Sequence, residues 1–250
     1  MIDWETQPVR DCALRHSVRE HVLDVLRSGR LTQGDRVPET SLARALDVSL
    51  SPVREALFRL ADQGILEHRP RRGFYVRTLS EAETRETYTF RALLESFAAR
   101  LVAQRRTTAD GETRARDEAA FDALAAVIEE GGRAAFAGDR RAVSEANAKF
   151  HDLLVRTTSH SLLERAWALH APVEWLLGPT WTWWHEPLTP AEARDWVARH
   201  ERLLDLVRAG DAGAAEREAS VHVREAGEGY LRRRFPDHVT HSTREGSSER

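Results

Sequence analysis

Three histidines and one asparagine have the residue types and spacing of a transition-metal site. Asn147 and His151 are four residues apart, so on a helix they project from the same face. His200 and His222 fall on two later segments with helical patterning. Three imidazoles and one side-chain oxygen inside a helical bundle could hold a divalent transition metal and leave positions open for water or a ligand. Spacing alone is a weak indication, because single histidines are more often ordinary core or surface residues.

A second group of residues has the chemistry of a nucleic-acid contact. The turn from Arg69 to Gly73 carries three arginines and no acid, and guanidinium groups are favoured in a narrow minor groove and beside phosphates. Arg54, in the first turns of a predicted helix, has a bidentate donor fork suited to guanine. The other candidate DNA contacts are Arg44, Ser49, Ser51, Arg71, Arg72 and Gly73. For Arg44, a solvated surface charge is an equal alternative.

Charge and composition restrict the possible partners and compartments. Residues 1–78 contain 13 arginines against 11 acids, whereas the remainder contains 24 basic and 29 acidic residues, so the net charge of -3 conceals a locally positive segment. A DNA interface must therefore be a local patch. The single cysteine, Cys12, allows no disulfide framework within a chain and fits a reducing cytoplasm. With no leader pattern and no apolar stretch of membrane-spanning length, we expect a cytoplasmic protein without a membrane partner.

The elements that would position the arginines form a winged helix-turn-helix over residues 14–78. Apolar periodicity predicts a helix over 14–28, a short helix around Leu42 to Leu46, and a second short helix over 51–63 that Gly64 ends. Two predicted strands, 65–68 and 74–76, flank the arginine turn.

From residue 80 onward the sequence predicts an all-helical domain. The six predicted helices cover residues 81–105, 113–130, 139–158, 161–177, 190–209 and 212–234. Lengths near twenty residues with short links indicate an antiparallel bundle. We therefore expect a mainly α protein, with an irregular N-terminus (1–13), a winged helix-turn-helix (14–78), a helical domain (80–234) and a disordered tail (235–250).

The residues SPVREALFRLADQGIL, followed by the arginine turn and GFYV, resemble the winged helix of the GntR family of bacterial transcription regulators. The resemblance covers most of residues 14–78. It implies that the helix from about Ser51 to Gln63 enters the major groove and that the arginine turn is the wing. The family often has arginine where Leu50 stands and a further basic residue where Thr40 stands, so the operator sequence is not implied.

Three further segments resemble the FCD effector domain found in the FadR branch of that family. They are RALLESFAARL at 91–101, Asn147 to His151 with Leu154 following, and HERLLDLVRAGDAGAAEREASVHV from His200 to Val223. Together they cover residues 85–225, and six helices favour the smaller, metal-binding subgroup. The resemblance implies an effector-binding and dimerisation role for this helical domain.

The resemblance also assigns the metal ligands, because His151, His200 and His222 fall where the family's ligands fall. Zinc is our first choice, with nickel or manganese as alternatives. Many relatives have aspartate where Asn147 stands, and a neutral amide oxygen offers less charge to a cation. His160, His170 and His185 fit no ligand position.

Arg91 occupies a position that faces the effector cavity in the family. It could bind an effector carboxylate bidentately, and a salt bridge with Glu95 one turn later is an equal alternative. Trp181, Trp183 and Trp184 could line an apolar pocket, although core or dimer packing is favoured.

The function implied is that of a DNA-binding transcription regulator, usually a repressor, and not an enzyme. We expect a homodimer on a short palindromic operator, controlled by a small organic acid bound at the metal. The alternatives are a metal-free regulator with an apolar or acyl effector, a metal-dependent hydrolase, and an architectural DNA-binding protein without an effector.

Overall fold

The computed structural model describes residues 18–26, 29–177 and 188–236, without the side chains of residues 171–175 and 177. The helices are 18–26 (α1), Glu39–Ala45 (α2), Leu50–Asp62 (α3), Glu81–Thr108 (α4), Gly111–Phe136 (α5), Arg140–Thr157 (α6), Ser161–Leu177 (α7), Pro190–Ala209 (α8) and Ala212–Arg234 (α9). Two strands, β1 (Leu66–Arg69) and β2 (Gly73–Val76), pair antiparallel with Arg69 opposite Gly73. The expected mainly α class with a small two-stranded wing is confirmed.

The described residues group into two compact units. The first contains residues up to Thr78 together with the second part of α7, from Ala168. The second contains the residues from Leu79 to Trp167 and those from Leu188 onward. Helix α7 therefore contributes residues to both units.

The first unit is built on a small apolar core beneath a helix pair and the wing. Helix α3 buries Val53, Ala56, Leu57 and Leu60 on one face, which leaves its opposite face to solvent. Gly64, with φ of 73°, ends that segment in the left-handed region that favours glycine. Ser49 occupies the N-cap position of α3, but its hydroxyl makes no capping hydrogen bond.

The second unit is a helical bundle in which α4 packs most extensively on α9, and α5 packs on α6 and α8. Helix α5 continues to Phe136, whereas the sequence predicted an end near residue 130. Gly131 and Gly132 suggested that end because glycine disfavours helix. The two glycines instead allow close approach of α8, since a β-carbon on Gly131 would lie 2.2 Å from the ring of Trp196. Tertiary packing here overrides propensity.

Several sequence predictions fall on residues that the structure does not describe. They are the irregular segment 1–13, the tryptophans Trp181, Trp183 and Trp184, His185, and the tail from residue 237 onward. Within the described ranges, none of the helices is both long enough and apolar enough to cross a bilayer.

Candidate metal centre and nucleic-acid surface

The three candidate histidine ligands lie together inside the second unit. His151 comes from α6, His200 from α8 and His222 from α9, and all three are buried. Each offers a ring nitrogen, and the three nitrogens lie within 4.8 Å of one another. The ring centroids are 5.6 Å apart for His151 and His200, 5.3 Å for His151 and His222, and 4.6 Å for His200 and His222.

The backbone of α8 sets the tautomer of His200. Nδ1 of His200 lies 2.7 Å from the carbonyl oxygen of Trp196, and since a carbonyl only accepts, Nδ1 carries the proton. Nε2 is buried and has no hydrogen-bond partner among the described residues. Burial, followed by the neighbouring His222 and His151, lowers the pKa of His200 well below its ordinary value. The ring is therefore neutral, with a lone pair on Nε2, as a metal ligand must be.

Like His200, His222 is buried and has a lowered pKa. Its Nδ1 is buried without a hydrogen-bond partner in the described part of the chain. Burial and then the neighbouring His151 lower the pKa of His222 from 6.5 to about 3. Unpartnered buried nitrogens are costly in a folded protein, and three converging imidazoles are the donor set that zinc, nickel and other first-row cations accept. The residues present fit a divalent transition metal.

Asn147 lies one helical turn before His151 on α6 and is half-buried. It therefore sits on the face of α6 that carries His151, as the spacing predicted.

Arg91 and Glu95 add a charged pair beside the histidines. Nε of Arg91 donates to Oε1 of Glu95 at 2.5 Å, and both residues are buried on α4. This is the salt bridge that was the alternative to effector binding by Arg91. The second carboxylate oxygen, Oε2, contacts Nδ1 of His151. Burial raises the pKa of Glu95, but the charges of Arg91 and His151 outweigh burial and lower it from 4.5 to about 2.

Glu95 is the member of this site that sequence analysis missed as a contact of the histidines. Its spacing to Arg91 was visible, but its second oxygen reaches a residue on another helix. A carboxylate against a ligating imidazole orients the ring and increases its basicity, so Glu95 has the placement of an outer-shell partner.

A cleft of about 610 Å³ between α8 and α9 reaches one of the three histidines, His222. His222 forms part of its wall, together with Arg199, Arg202, Arg217 and Val221. Arg199 is paired with Asp195 and Glu225, whereas Arg217 is exposed and forms no ion pair within the described residues. The cleft is open to a small polar molecule.

The recognition surface of the first unit is organised around Arg54. The side chain is 58% exposed on α3, beside the face that carries the buried residues, and its Nε donates to Oε2 of Glu39 at 2.8 Å. Glu39 begins α2 and is the second residue that sequence analysis missed. An ion pair across fifteen residues has no local spacing signal in the sequence.

The wing turn presents two arginines without counter-charges. Arg71 and Arg72 are exposed and form no ion pair with any described residue, whereas Arg69 pairs with Glu67 at 3.0 Å and lies over the ring of Tyr75. Arg71 has φ of 62° at the third position of a turn closed by the 2.9 Å hydrogen bond from Arg72 N to Arg69 O.

The remaining candidates lie on either side of the turn between α2 and α3. Arg44 is exposed on α2 and, within the described chain, forms no ion pair. Ser49 and Ser51 are exposed at the first turn of α3, where backbone N–H groups point outward and favour anions. These two serines, the pair of wing arginines and Arg54 all belong to the helix pair and the wing.

Comparison with family models identifies both parts of the chain. The model described as bacterial regulatory proteins, gntR family, matches residues 14–76. The model described as FCD domain matches residues 86–225, more than half of the chain.

A similar curated protein is named as a probable D-xylose utilization operon transcriptional repressor from Paenarthrobacter nicotinovorans. It is 34% identical over 207 residues, which span 82% of this chain and 84% of that protein. Its name, like those of the other similar proteins, is that of a transcription regulator and not of an enzyme. The hydrolase alternative is therefore set aside.

Two solved structures share the fold. Escherichia coli McbR/YncC has a TM-score of 0.72 at 22% identity, over 88% of this chain and 98% of that one. The protein named transcriptional regulator GntR from Rhodococcus sp. RHA1 has a TM-score of 0.70 at 21% identity, over 87% of this chain and 97% of that one.

Proposed function

Since this chain belongs to the GntR family of bacterial regulatory proteins and carries an FCD domain, we propose that it is a metal-dependent transcription repressor. It binds a palindromic operator as a homodimer, and a small organic acid bound at the metal controls its affinity for DNA. The observation that carries the proposal is the set of three buried histidine nitrogens within 4.8 Å of one another. His151, His200 and His222 hold the metal, and Asn147 offers an amide oxygen. In the same proposal, residues 14–78 bind DNA and residues 80–234 bind the effector.

The charges around the histidines favour an anionic effector. Glu95 and Arg91 neutralise each other, the rings of His200 and His222 are neutral, and an imidazole that binds a metal must itself be neutral. A divalent cation would therefore add about two buried positive charges without a counter-charge, which is costly in a low-dielectric interior. An effector carboxylate on the metal reduces that cost, and a second carboxylate could bind Arg91 in competition with Glu95.

The class of acid follows from the metal and from the similar protein. Hydroxy acids and dicarboxylates can place one oxygen on a metal and another on a guanidinium. The relative named for D-xylose utilisation favours acids derived from sugars within that class. The cleft between α8 and α9 supplies a route from solvent to His222.

The homodimer is inferred from the way a winged helix reads DNA. One recognition helix contacts only a few base pairs, so a two-fold protein on a two-fold site supplies the required specificity. Helix α4 exposes Phe90 and Leu93 to 44% and 63%, three residues apart on one face, as a contact between copies would require. The effector must favour one placement of the two DNA-binding units; otherwise it cannot alter operator affinity.

The test begins with a DNA probe selected from a random-sequence duplex library by the full-length chain. Fluorescence anisotropy then measures binding of that probe by zinc-loaded and chelator-treated protein, with sugar acids and dicarboxylates added in turn. At least one acid should release the probe from the zinc-loaded protein only. Failure to select any duplex would refute DNA binding, and equal release from the chelator-treated protein would refute the metal-dependent part.

A further inference from the structure

We propose that Glu39 is a positioning residue that orients the guanidinium of Arg54, so that its two Nη groups face a guanine. The inference rests on the proposed DNA-binding function and assigns a role to an acid that lies within the DNA-binding surface. It concerns the orientation of the Arg54 guanidinium before DNA arrives.

The contact between the two residues determines which guanidinium nitrogens remain available. Oε2 of Glu39 accepts from Nε of Arg54 at 2.8 Å, so the side edge of the guanidinium is occupied. The Arg54 side chain is nevertheless 58% exposed, with no other partner among the described residues. Its two Nη groups therefore form the free donor pair, and this pair matches the O6 and N7 acceptors of guanine.

The start of β2 in the wing lies close to Glu39. Its side chain is only 14% exposed, and a β-carbon added to Gly73 would lie 2.8 Å from Oε1 of Glu39. Gly73 also has φ of 89°, a conformation that favours glycine. The backbone at the start of β2 thus leaves room for the Glu39 carboxylate, which lies beside the wing and pairs with the recognition helix.

The negative charge of Glu39 opposes non-specific binding to DNA. A carboxylate beside phosphates is repelled, so its removal should increase affinity for any duplex. An arginine held before binding loses less side-chain entropy when it contacts the base, so the same removal should reduce discrimination. A merely structural acid would not produce these two opposite changes together.

The test compares Glu39→Ala with the unaltered chain on two probes. One probe is the consensus duplex that the full-length chain selects from a random library, and the other replaces its most strongly selected guanine in each half-site by adenine. Removal of a bidentate base contact corresponds to about 5- to 150-fold in discrimination. We expect Glu39→Ala to lower the ratio of the two affinities at least about 5-fold, while binding to the substituted probe becomes tighter.

A double-mutant cycle with Arg54→Ala assigns the effect to this pair. If Glu39 acts through Arg54, the variant with both substitutions should discriminate no worse than Arg54→Ala alone. Glu39→Gln keeps an acceptor oxygen and should retain part of the discrimination. Asp62→Ala, which removes an exposed acid at the end of α3, is the charge control and should leave the ratio unchanged.

The proposal is overturned by additive effects of the two substitutions, or by a Glu39→Ala variant that folds with normal thermal stability and keeps its affinity ratio. If Glu39→Ala does not fold, the Glu39→Gln cycle decides by the same criterion. If the unaltered chain selects no consensus duplex, the proposed function itself has failed.

Discussion

Nδ1 of His200 lies 2.7 Å from the carbonyl oxygen of Trp196, one turn earlier on α8. The helix backbone thereby places the proton on Nδ1 and leaves Nε2 as the nitrogen that can bind a metal. The same tryptophan packs on the His200 ring, with centroids 4.2 Å apart. Both the tautomer and the ring position are therefore fixed before any ion arrives.

The first prediction concerns metal content. Replacing His200 by alanine should abolish metal binding, because a site of only two imidazoles and an amide rarely keeps a divalent cation during purification. Elemental analysis of protein purified without a chelator or a metal-affinity tag should give about one metal per chain for the unaltered protein and none for the variant. His160→Asn is the control, since Nδ1 of His160 accepts only the capping bond from Leu163 N–H at 3.2 Å, which asparagine can also accept. Equal metal content in all three proteins would contradict the site.

The second prediction tests whether Glu95 supports His151 as a metal ligand in addition to pairing with Arg91. Glu95→Gln removes the carboxylate charge that pairs with the buried Arg91 guanidinium, which should lower the unfolding free energy of the metal-free protein by about 3–5 kcal/mol. Zinc affinity, measured by competition with a chromophoric chelator, should also fall by about 10- to 100-fold because His151 loses its outer-shell partner.

The matched control for Glu95 removes the pair as a unit. Arg91→Met with Glu95→Leu removes both charges of this buried pair, so urea unfolding should show a much smaller loss of stability than Glu95→Gln alone. Zinc affinity should stay low in that double variant. Normal zinc affinity there would show that the carboxylate does nothing for His151.

The third prediction is that metal-free protein loses stability as the pH falls below 6.5. The pKa of His200 is lowered well below that value, and the pKa of His222 is lowered to about 3. At pH values between these lowered pKa values and 6.5, the two histidines bind protons in the unfolded chain but not in the folded chain. The unfolding free energy therefore rises with pH in this range. His222→Asn should reduce this slope by about one proton in urea titrations between pH 4 and 6. An unchanged slope would mean that His222 titrates normally in the folded protein.

The long helices could be predicted because their signals are local, whereas the histidine set was predicted through the resemblance to the FCD domain. Apolar periodicity and capping residues placed α7, α8 and α9 within the bounds observed. The end of α5 could not be predicted, because the helix continues through Gly131 only where Trp196 packs against it. The effect of Gly131 on the helix depends on its packing against Trp196, which is sixty-five positions later in the sequence.

The two missed carboxylates have the same physical origin. Oε1 of Glu95 pairs within its own helix, but Oε2 contacts α6, and Glu39 meets Arg54 across the turn of the helix pair. Side-chain contacts between elements depend on their packing, which periodicity does not specify. A charged residue on a predicted buried face is the signal that could have identified Glu95.

The fourth prediction tests the close approach of α5 and α8. Gly131→Ala places a β-carbon 2.2 Å from Cη2 of Trp196, so the indole that packs on His200 must move. Overpacking of this kind should lower the unfolding free energy by about 1–3 kcal/mol, despite the higher helix propensity of alanine. Gly229→Ala on α9 is the control, because its nearest neighbour is Arg232 Nη2 at 4.0 Å. That variant should be as stable as the unaltered protein or more so by about 0.5–1 kcal/mol. If both variants gained stability in urea titrations, the indole would not pack as described.

The fifth prediction concerns the wing. Arg71 and Arg72 are exposed and form no ion pair with the residues that the structure describes, so both can replace counterions at phosphates. Substituting both by alanine should weaken binding to every duplex and reduce the slope of log affinity against log salt by about 0.9 for each phosphate that is no longer neutralised. Discrimination between the consensus and a guanine-substituted probe should change little, since phosphate contacts carry no direct sequence information. Arg133→Ala removes a cation paired with Glu129 on α5 and should leave the slope unchanged. A wing variant with an unaltered salt slope would place these arginines off the DNA, and binding would then depend on α2 and α3 alone.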